Sequence, residues 1–449
     1  MKKVYFATLG CKVNQYDTEA LRAAFHRLGF ESARQVGEAD VCVVNTCSVT
    51  AESDRKCRNL IRRLRRQSPE AFLVAAGCYA QGSPEQLEAM PEVDRVIGAR
   101  RHETLPFEIL EALGLCCPDE QAASAVAAGS TLTTFTEHTR AFVKIEDGCN
   151  QMCTYCRIPF YRGRARSRPA EEILREIRQL SERGYREVVL CGIQLGAFGR
   201  DSGESLPQLL RDIDSIPAVA RLRLSSIEPD DVTDELVETL TSLAKVAPHL
   251  HLPLQSGDDG VLRRMRRGYT FDDYRRLATR LREAGGEEFA ISTDVMVGFP
   301  GEDEAAFQRS VEAVRELEFC RLHIFRFSPR PGTRAARFPE QVPKEVIDQR
   351  RAEIGRVAGE VVDQVRRRQI GKVLTVLLEE RGKEPGTAVG FSENYLRVQA
   401  CIGQGDTDAL DRLLGQLVPV RIDSLSNEYL LGTVENRAHA ALSRFYRDS

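Results

Sequence analysis

Short apolar runs alternate with helical stripes at the start of the chain. Val4–Thr8, Val41–Asn45 and Phe72–Gly77 have the length of buried strands, and Arg95–Ile97 is a shorter run of the same kind. Between them, Leu21, Phe25 and Leu28 recur at i, i+4 and i+7, which predicts a helix over Asp17–Leu28 that Gly29 stops. An Arg-rich stretch from Ala51 to Arg66 and a segment from Glu103 to Leu113 also read as helices. Strands alternating with helices imply a parallel α/β sheet over residues 1–114. From Cys116 to Ser130 the chain is small, polar and aperiodic, so 115–134 reads as a linker.

The next segment, 135–370, repeats the alternation on a larger scale. Strand-like runs begin near Phe142, Glu187, Arg221, His249, Phe289 and Arg321. In the helix expected over Pro169–Arg183, Pro169 occupies the first helical position, and Glu171 and Glu172 favour the N-terminal turn. Its stripe is Ile173, Ile177 and Leu180, and Gly184 ends it. Tyr274, Leu277 and Leu281 mark another helix over Phe271–Ala284. Six βα units favour a partial or full barrel over an open doubly wound sheet. A long helical pattern, Pro343–Gln369, closes the segment. After Gly371 the period becomes strand-like: Val373–Leu378, Tyr395–Val398, Val418–Ile422 and Tyr429–Val434 predict a small all-β module over 371–440.

The 449 residues carry 63 Lys+Arg against 66 Asp+Glu, a formal charge of −3 that gives no global support for a polyanion partner. Local distribution does. Arg62, Arg63, Arg65 and Arg66 share one helix; Arg157, Arg162, Arg164, Arg166 and Arg168 cluster without an acid among them; Arg263, Arg264, Arg266 and Arg267 form a third group. Such runs are usually solvated faces, but three of them beside chemical sites favour a phosphate partner. The opening MKKVYFATLGCKVNQ is too short in apolar residues for a signal sequence, and no run is long enough to span a bilayer, so a cytoplasmic protein with no membrane partner is expected. Thirteen cysteines in such a chain point to reduced thiols or metal ligation rather than a disulfide scaffold.

Cys149, Cys153 and Cys156 form CxxxCxxC directly after the strand at Phe142–Ile145, in the first βα loop of the expected barrel. That loop opens at the C-terminal face, where barrel enzymes work. Three thiolates can hold a 4Fe–4S cluster and leave one iron open; the alternative is a structural zinc site with a ligand from elsewhere. Cys11, Cys47 and Cys78 lie 36 and 31 residues apart, too far for a local knuckle, but each follows a predicted strand. A parallel sheet brings those strand ends to one edge, so a second three-thiol site is expected there. Cys42 and Cys57 do not fit this pattern; Cys191, Cys320 and Cys401 read as small core residues, and Cys116 and Cys117 are left without a role.

CxxxCxxC after the first barrel strand resembles the radical S-adenosylmethionine (SAM) superfamily. Two such triads followed by a β module resemble the methylthiotransferases over essentially the full length, in the order methylthiotransferase domain, radical-SAM barrel and TRAM domain. LGCKVNQYDTE, with Lys12, Val13 and Asn14 after Cys11, looks like the MtaB type, which acts on N6-threonylcarbamoyladenosine next to the tRNA anticodon. Related enzymes act on isopentenyladenosine or on a ribosomal-protein aspartate; a non-catalytic iron–sulfur RNA-binding or redox-sensing protein is the rival from another class.

The resemblance implies an α/β protein with a parallel N-terminal domain, a partial (βα)6 barrel and an OB-like TRAM barrel. It implies two 4Fe–4S clusters on the six cysteines of the triads. The open iron of the barrel cluster would hold SAM, whose reductive cleavage gives a 5′-deoxyadenosyl radical. One SAM would methylate sulfur at the N-terminal cluster, and a second would supply the radical that takes hydrogen from adenine C2. Tyr155, Gln194, Glu228, Gln255, Val295, Gly298 and Gly301 fall at positions where the family contacts SAM. Here Glu228 could instead be a helix N-terminal acid, and Gln255 an ordinary loop amide. Arg162, Arg164, Arg166, Arg168 and Arg397, with Tyr395 and Tyr429, are the expected RNA contacts. A tRNA substrate, an electron donor such as flavodoxin or ferredoxin, and a monomeric enzyme complete the expectation.

Overall fold

The structure is a computed structural model that describes residues 2–116, 126, 132, 134–135, 138–402 and 407–435. Most of the expected linker and the chain after Glu435 lie outside the described residues. The N-terminal sheet has five parallel strands in the order Glu31–Ser32, Lys3–Thr8, Val41–Thr46, Phe72–Gly77, Arg95–Gly98. Val41–Thr46 is buried along its whole length, as a central parallel strand covered on both faces must be.

The first helix is Lys12–Arg27 and begins five residues earlier than the apolar stripe indicates. The reason is that it serves two cores. Leu21 and Phe25 pack in the N-terminal domain, whereas Val13 and Tyr16 are buried in the core of the barrel domain. A stripe drawn for one core misses the half that faces another.

Six parallel strands form the barrel domain: Ala141–Lys144, Glu187–Cys191, Arg221–Leu224, His249–His251, Ala290–Val297 and Arg321–Arg326. They pair as two three-stranded sheets, which parallel bridges at Leu222–Val246 and Ser226–His251 join into one open barrel. The helix after the first strand is Ala170–Glu182; Pro169 caps it from outside rather than occupying its first position. The long helix is Lys344–Arg367.

The C-terminal module is a closed barrel of five strands, OB-like in form: Val373–Arg381, Thr387–Ser392, Arg397–Cys401, Leu430–Val434 and Leu417–Leu425 in spatial order. Thr387–Ser392 and a helix at Thr407–Leu413 are elements the periodicity did not reveal. Cys191 and Cys320 are buried as expected, but Cys401 is exposed, because it lies at the end of its strand. This barrel seals one end of the larger one. Glu187 accepts from Arg221 Nε and Arg223 Nε, 2.5 and 3.0 Å away. The remaining guanidinium nitrogens of both arginines donate to carbonyls of Thr375, Phe391, Ser392 and Glu393. Both cations therefore keep a partner on every face, which a buried charge requires. Among the described residues, no helix is long and apolar enough to cross a membrane.

Candidate active site

The loop carrying Cys149, Cys153 and Cys156 is closed by a two-stranded clasp, Glu146–Asp147 against Arg166–Ser167. Gly148 takes a left-handed φ of 96°, and a Cβ there would run into the carbonyl of Arg164, so only glycine lets the two sides of the loop meet. Hydrogen bonds from Thr154 N to Met265 O (3.1 Å) and Ala335 N to Thr154 O (2.9 Å) fix the loop to later parts of the barrel. The sulfurs face donors. Gln151 N lies 3.4 Å from Cys149 Sγ, Ile158 N 3.4 Å from Cys156 Sγ, and Arg267 Nη1 3.4 Å from Cys153 Sγ. Burial pushes the Cys149 and Cys156 thiols up to about 12 and raises Cys153 as well. Thiolates in this setting need a bound cation, and three sulfurs with N–H donors aimed at them suit an iron–sulfur cluster.

The second triad is assembled from strand ends. Cys11 caps the helix Lys12–Arg27, Cys47 follows the strand that ends at Thr46, and Cys78 follows the strand that ends at Gly77. These three strands are neighbours in the sheet, so their C-terminal ends share one edge. Gly10, at φ 118°, leaves room for Cys47: a Cβ on it would lie 3.0 Å from Cys47 Cβ and 3.3 Å from its sulfur. The thiols are close enough to raise one another, Cys11 and Cys47 both acting on Cys78. Burial dominates and pushes Cys78 up to about 12. Cys11 is exposed, while Cys47 and Cys78 are buried. The donor set again suits a cluster with one iron left open.

Arg162 lies between the triads. Its Nη1 donates to both carboxylate oxygens of Asp147 (3.0 and 2.9 Å), and its Nη2 to Asn14 Oδ1 (2.7 Å) and Asp17 Oδ2 (2.9 Å). Lys144 Nζ reaches Asp17 from the barrel at 2.6 Å. Cations on both sides hold the Asp17 carboxyl well below the usual range despite its burial. Further contacts bind the domains. Arg330 donates to Asp54 and to Ser48 Oγ, each at 2.7 Å, and Arg100 donates to the carbonyl of Phe160 at 2.9 Å.

The other expected residues divide. Tyr155 and Gln255 line one cavity of about 120 Å3 with Cys156, Met296, Ser48 and Arg330. Glu228 forms an ion pair with Arg267, and so stands beside Cys153. Gln194 is spent on structure: its side chain accepts from Asn150 N (3.0 Å) and donates to Asp231 (3.2 Å), while its own N–H donates to the buried Glu146 (2.8 Å). Val295 is fully buried in the hydrophobic core, and its strand neighbour Met296 turns to the cavity instead. Gly298 and Gly301 do give close approach, but to protein: a Cβ would strike Ile347 and the Arg264 guanidinium respectively.

The expected RNA contacts also divide. Arg162 is buried, with both terminal nitrogens paired to carboxylates, so it is withdrawn from any RNA surface. Arg168 is half-buried and donates to Glu176, Tyr16 Oη and the Lys144 carbonyl. Tyr395 stacks on Phe391 and lies 4.6 Å from the His249 ring, inside the domain junction. Arg164 and Arg166 are exposed, as is Arg397, which covers Tyr429 at 4.8 Å. Arg330 and the buried Glu146 were not singled out for the site from the sequence, and Arg267 stood only as one of a basic group; no local spacing marks their roles, because tertiary packing alone brings them there.

Residues 3–98 match the uncharacterized protein family UPF0004, and residues 143–314 match the radical SAM superfamily. The chain is 38% identical to the threonylcarbamoyladenosine tRNA methylthiotransferase MtaB of Bacillus subtilis, over 94% of each protein. It is 37% identical to the protein of that name from Thermotoga maritima, over 98% of each. The chain belongs to the radical-SAM tRNA methylthiotransferase family. A tRNA-2-methylthio-N(6)-dimethylallyladenosine synthase of Dictyoglomus thermophilum is 34% identical over 96% of this methylthiotransferase and 99% of its own length. The fold is shared with TsrM of Kitasatospora setae, a radical SAM methyltransferase solved with cobalamin and a 4Fe–4S cluster. That match has a TM-score of 0.54 at 17% identity and covers 75% of this chain and 77% of the other. The methylthiotransferase is thus an enzyme whose chemistry uses SAM and iron–sulfur centres.

Proposed function

We propose that this enzyme adds a methylthio group at C2 of N6-threonylcarbamoyladenosine, next to the anticodon of tRNA. The observation that carries the reading is the pair of three-cysteine sites, one on each side of the domain junction at Arg162. Cys149, Cys153 and Cys156 would hold one 4Fe–4S cluster and Cys11, Cys47 and Cys78 a second, each with an open iron. When bound, these clusters and SAM supply the radical and the methylated sulfur that an unactivated C–H bond requires. The protein's own part is to hold the parts together. Arg162, Asp17 and Lys144 lock the N-terminal domain against the barrel. Tyr155, Gln255 and Met296 form a cavity beside Cys156 for SAM, and Arg267 fixes Glu228 next to Cys153. Gln194 acts on SAM only through the loop it orders.

The functional units are residues 1–114, 135–370 and 371–440. Arg164, Arg166 and Arg397 are its RNA-facing cations. A tRNA substrate places the enzyme in the cytoplasm, working as a monomer with a small electron-transfer protein, such as flavodoxin or ferredoxin, as reductant. The test is nucleoside mass spectrometry of tRNA from a strain lacking the gene. The methylthio derivative of threonylcarbamoyladenosine should vanish, the unmodified nucleoside should accumulate, and wild-type protein should restore the product. Loss of methylthio-isopentenyladenosine instead would overturn the substrate assignment.

A further inference from the structure

The lumen of the open barrel holds a second cavity, of about 330 Å3, with Cys11 in its wall. That volume lies in the range of small-ligand sites. Its lining is rich in cations and imidazoles. Arg223 is already neutralised by Glu187 and by backbone carbonyls. Asp294, the lining carboxylate, has His251 Nε2 at 3.2 Å and His323 Nδ1 at 3.1 Å from its Oδ1, so that oxygen is engaged within the wall. Arg321 is different. It is exposed at the cavity mouth, and among the described residues no carboxylate or carbonyl pairs with its guanidinium, which lies 5.8 Å from the Tyr395 ring centroid. His249, 3% exposed, donates or accepts at Ser292 Oγ through Nε2 (2.9 Å), while its buried Nδ1 has no partner. A guanidinium without an anion and a buried nitrogen without a partner, in one cavity, call for a ligand that brings acceptor oxygens and negative charge.

We infer that this lumen receives the N6 substituent of the target adenosine and selects an anionic one, with its carboxylate seated on Arg321 and a polar group of the same arm meeting His249. The inference rests on the substrate reading above. C2 and C6 flank N1 on one edge of the adenine ring, so a base that presents C2 to the cysteine triad of Cys11 presents its N6 arm to the adjoining wall. That wall is this cavity. A threonylcarbamoyl arm ends in a carboxylate and a hydroxyl. An isopentenyl arm is hydrocarbon; it would bring the exposed Arg321 no counter-ion and would leave the buried Nδ1 of His249 without a partner. Discrimination of this kind is strong because the site's own polar groups bear the cost of the wrong substrate.

The test compares two anticodon stem-loop RNAs, one carrying threonylcarbamoyladenosine and one carrying its methyl ester, with reconstituted full-length enzyme. The wild type should prefer the acid by about tenfold to a hundredfold in kcat/KM, the range for a charged hydrogen bond. Arg321→Met, matched to wild type by iron content and circular dichroism, should lose most of its kcat/KM on the acid through KM. Its rate on the ester should change little, so that the preference collapses. Arg321→Lys should recover part of it. Equal use of acid and ester by the wild type, or an acid preference that persists in Arg321→Met, would overturn the inference while leaving the substrate reading intact. A wild type that modifies neither RNA but does modify an isopentenyladenosine stem-loop would overturn both.

Discussion

Cys149, Cys153 and Cys156 come from one loop that a glycine and a two-stranded clasp close on itself. Cys11, Cys47 and Cys78 come from three strand ends that only the parallel sheet brings together. The first site is thus a local object, carried by spacing and a few hydrogen bonds. The second exists only while strand register holds and while the Cys11 turn can sit against Cys47. The contrast predicts different failure modes. A ligand change in the loop should remove the radical chemistry itself. A ligand change at the sheet edge should spare that chemistry and remove only what depends on the second site.

Substitution of single ligands gives the largest effect. Cys153→Ala should abolish both 5′-deoxyadenosine formation and methylthio product. Cys47→Ala should abolish the product yet leave SAM cleavage under strong reductant, because the loop triad keeps all three ligands. Anaerobic reconstitution of the wild type should give about eight irons per chain, and the Cys149/Cys153/Cys156 triple Ala variant about four. Full methylthio product from Cys47→Ala would sink the assignment of the second triad.

The next effect tests what joins the two regions. Arg162 contacts Asp17 and Asn14 on one side and Asp147 on the other, with its side chain only 2% exposed. Arg162→Met leaves Asp17 with Lys144 alone from the barrel strand and strips Asp147 of its second cation. Removing one member of a buried ionic network typically costs about 3–5 kcal/mol, so a marked fall in Tm is expected. The tRNA affinity of the folded protein should stay near wild type. A variant as stable as wild type but weak for tRNA would restore Arg162 to the RNA surface.

That reassignment shows where sequence reading stops. The loop triad was legible because its chemistry is written in consecutive residues. The sheet-edge triad was legible one step later, since strand prediction sufficed to bring Cys11, Cys47 and Cys78 to one edge. Arg162 and Arg168 were misread as surface cations because each joins a partner of its own domain, Asp147 or Glu176, to one in another, Asp17 or Tyr16, and no local pattern encodes a docking face. Val295 faces the core and its neighbour Met296 the cavity for a simpler reason: the strand forms as expected, but its two faces cannot be told apart in the sequence, and a period of two sends neighbours to opposite sides. The glycines after that strand stand among the expected SAM contacts, but what approaches them in the structure is Ile347 and Arg264.

A smaller effect separates the exposed cations of the cysteine loop from the buried ones. Arg164 and Arg166 are exposed; Arg166 belongs to the clasp of the first triad and Arg164 lies just before it. Arg164→Ala with Arg166→Ala should weaken tRNA binding by roughly tenfold and lower the slope of log affinity against log salt by about 1.5, as two phosphate contacts are lost. Iron content should be unchanged. An unaltered salt slope in filter-binding titrations would make this stretch an ordinary solvated loop.

The smallest effect decides whether the second triad is truly a set of three. Cys57 is fully buried, and its sulfur lies 3.4 Å from both the N and the O of Cys47. It could thus be suspected as a fourth ligand, which would close the iron left open for sulfur chemistry. Its surroundings argue otherwise. It packs with Ile61, Leu64 and Tyr79 in the core behind the sheet, and that burial pushes its thiol up to about 12. Its hydrogen bonds go to the backbone of Cys47, so it supports that residue from behind. Cys57→Ala should therefore cost about 1 kcal/mol of stability, as the loss of a small buried group does. It should keep about eight irons per chain and retain methylthio product close to wild type. A drop to about four irons would make Cys57 a ligand, and the sheet edge would then be a closed cluster with no iron to present.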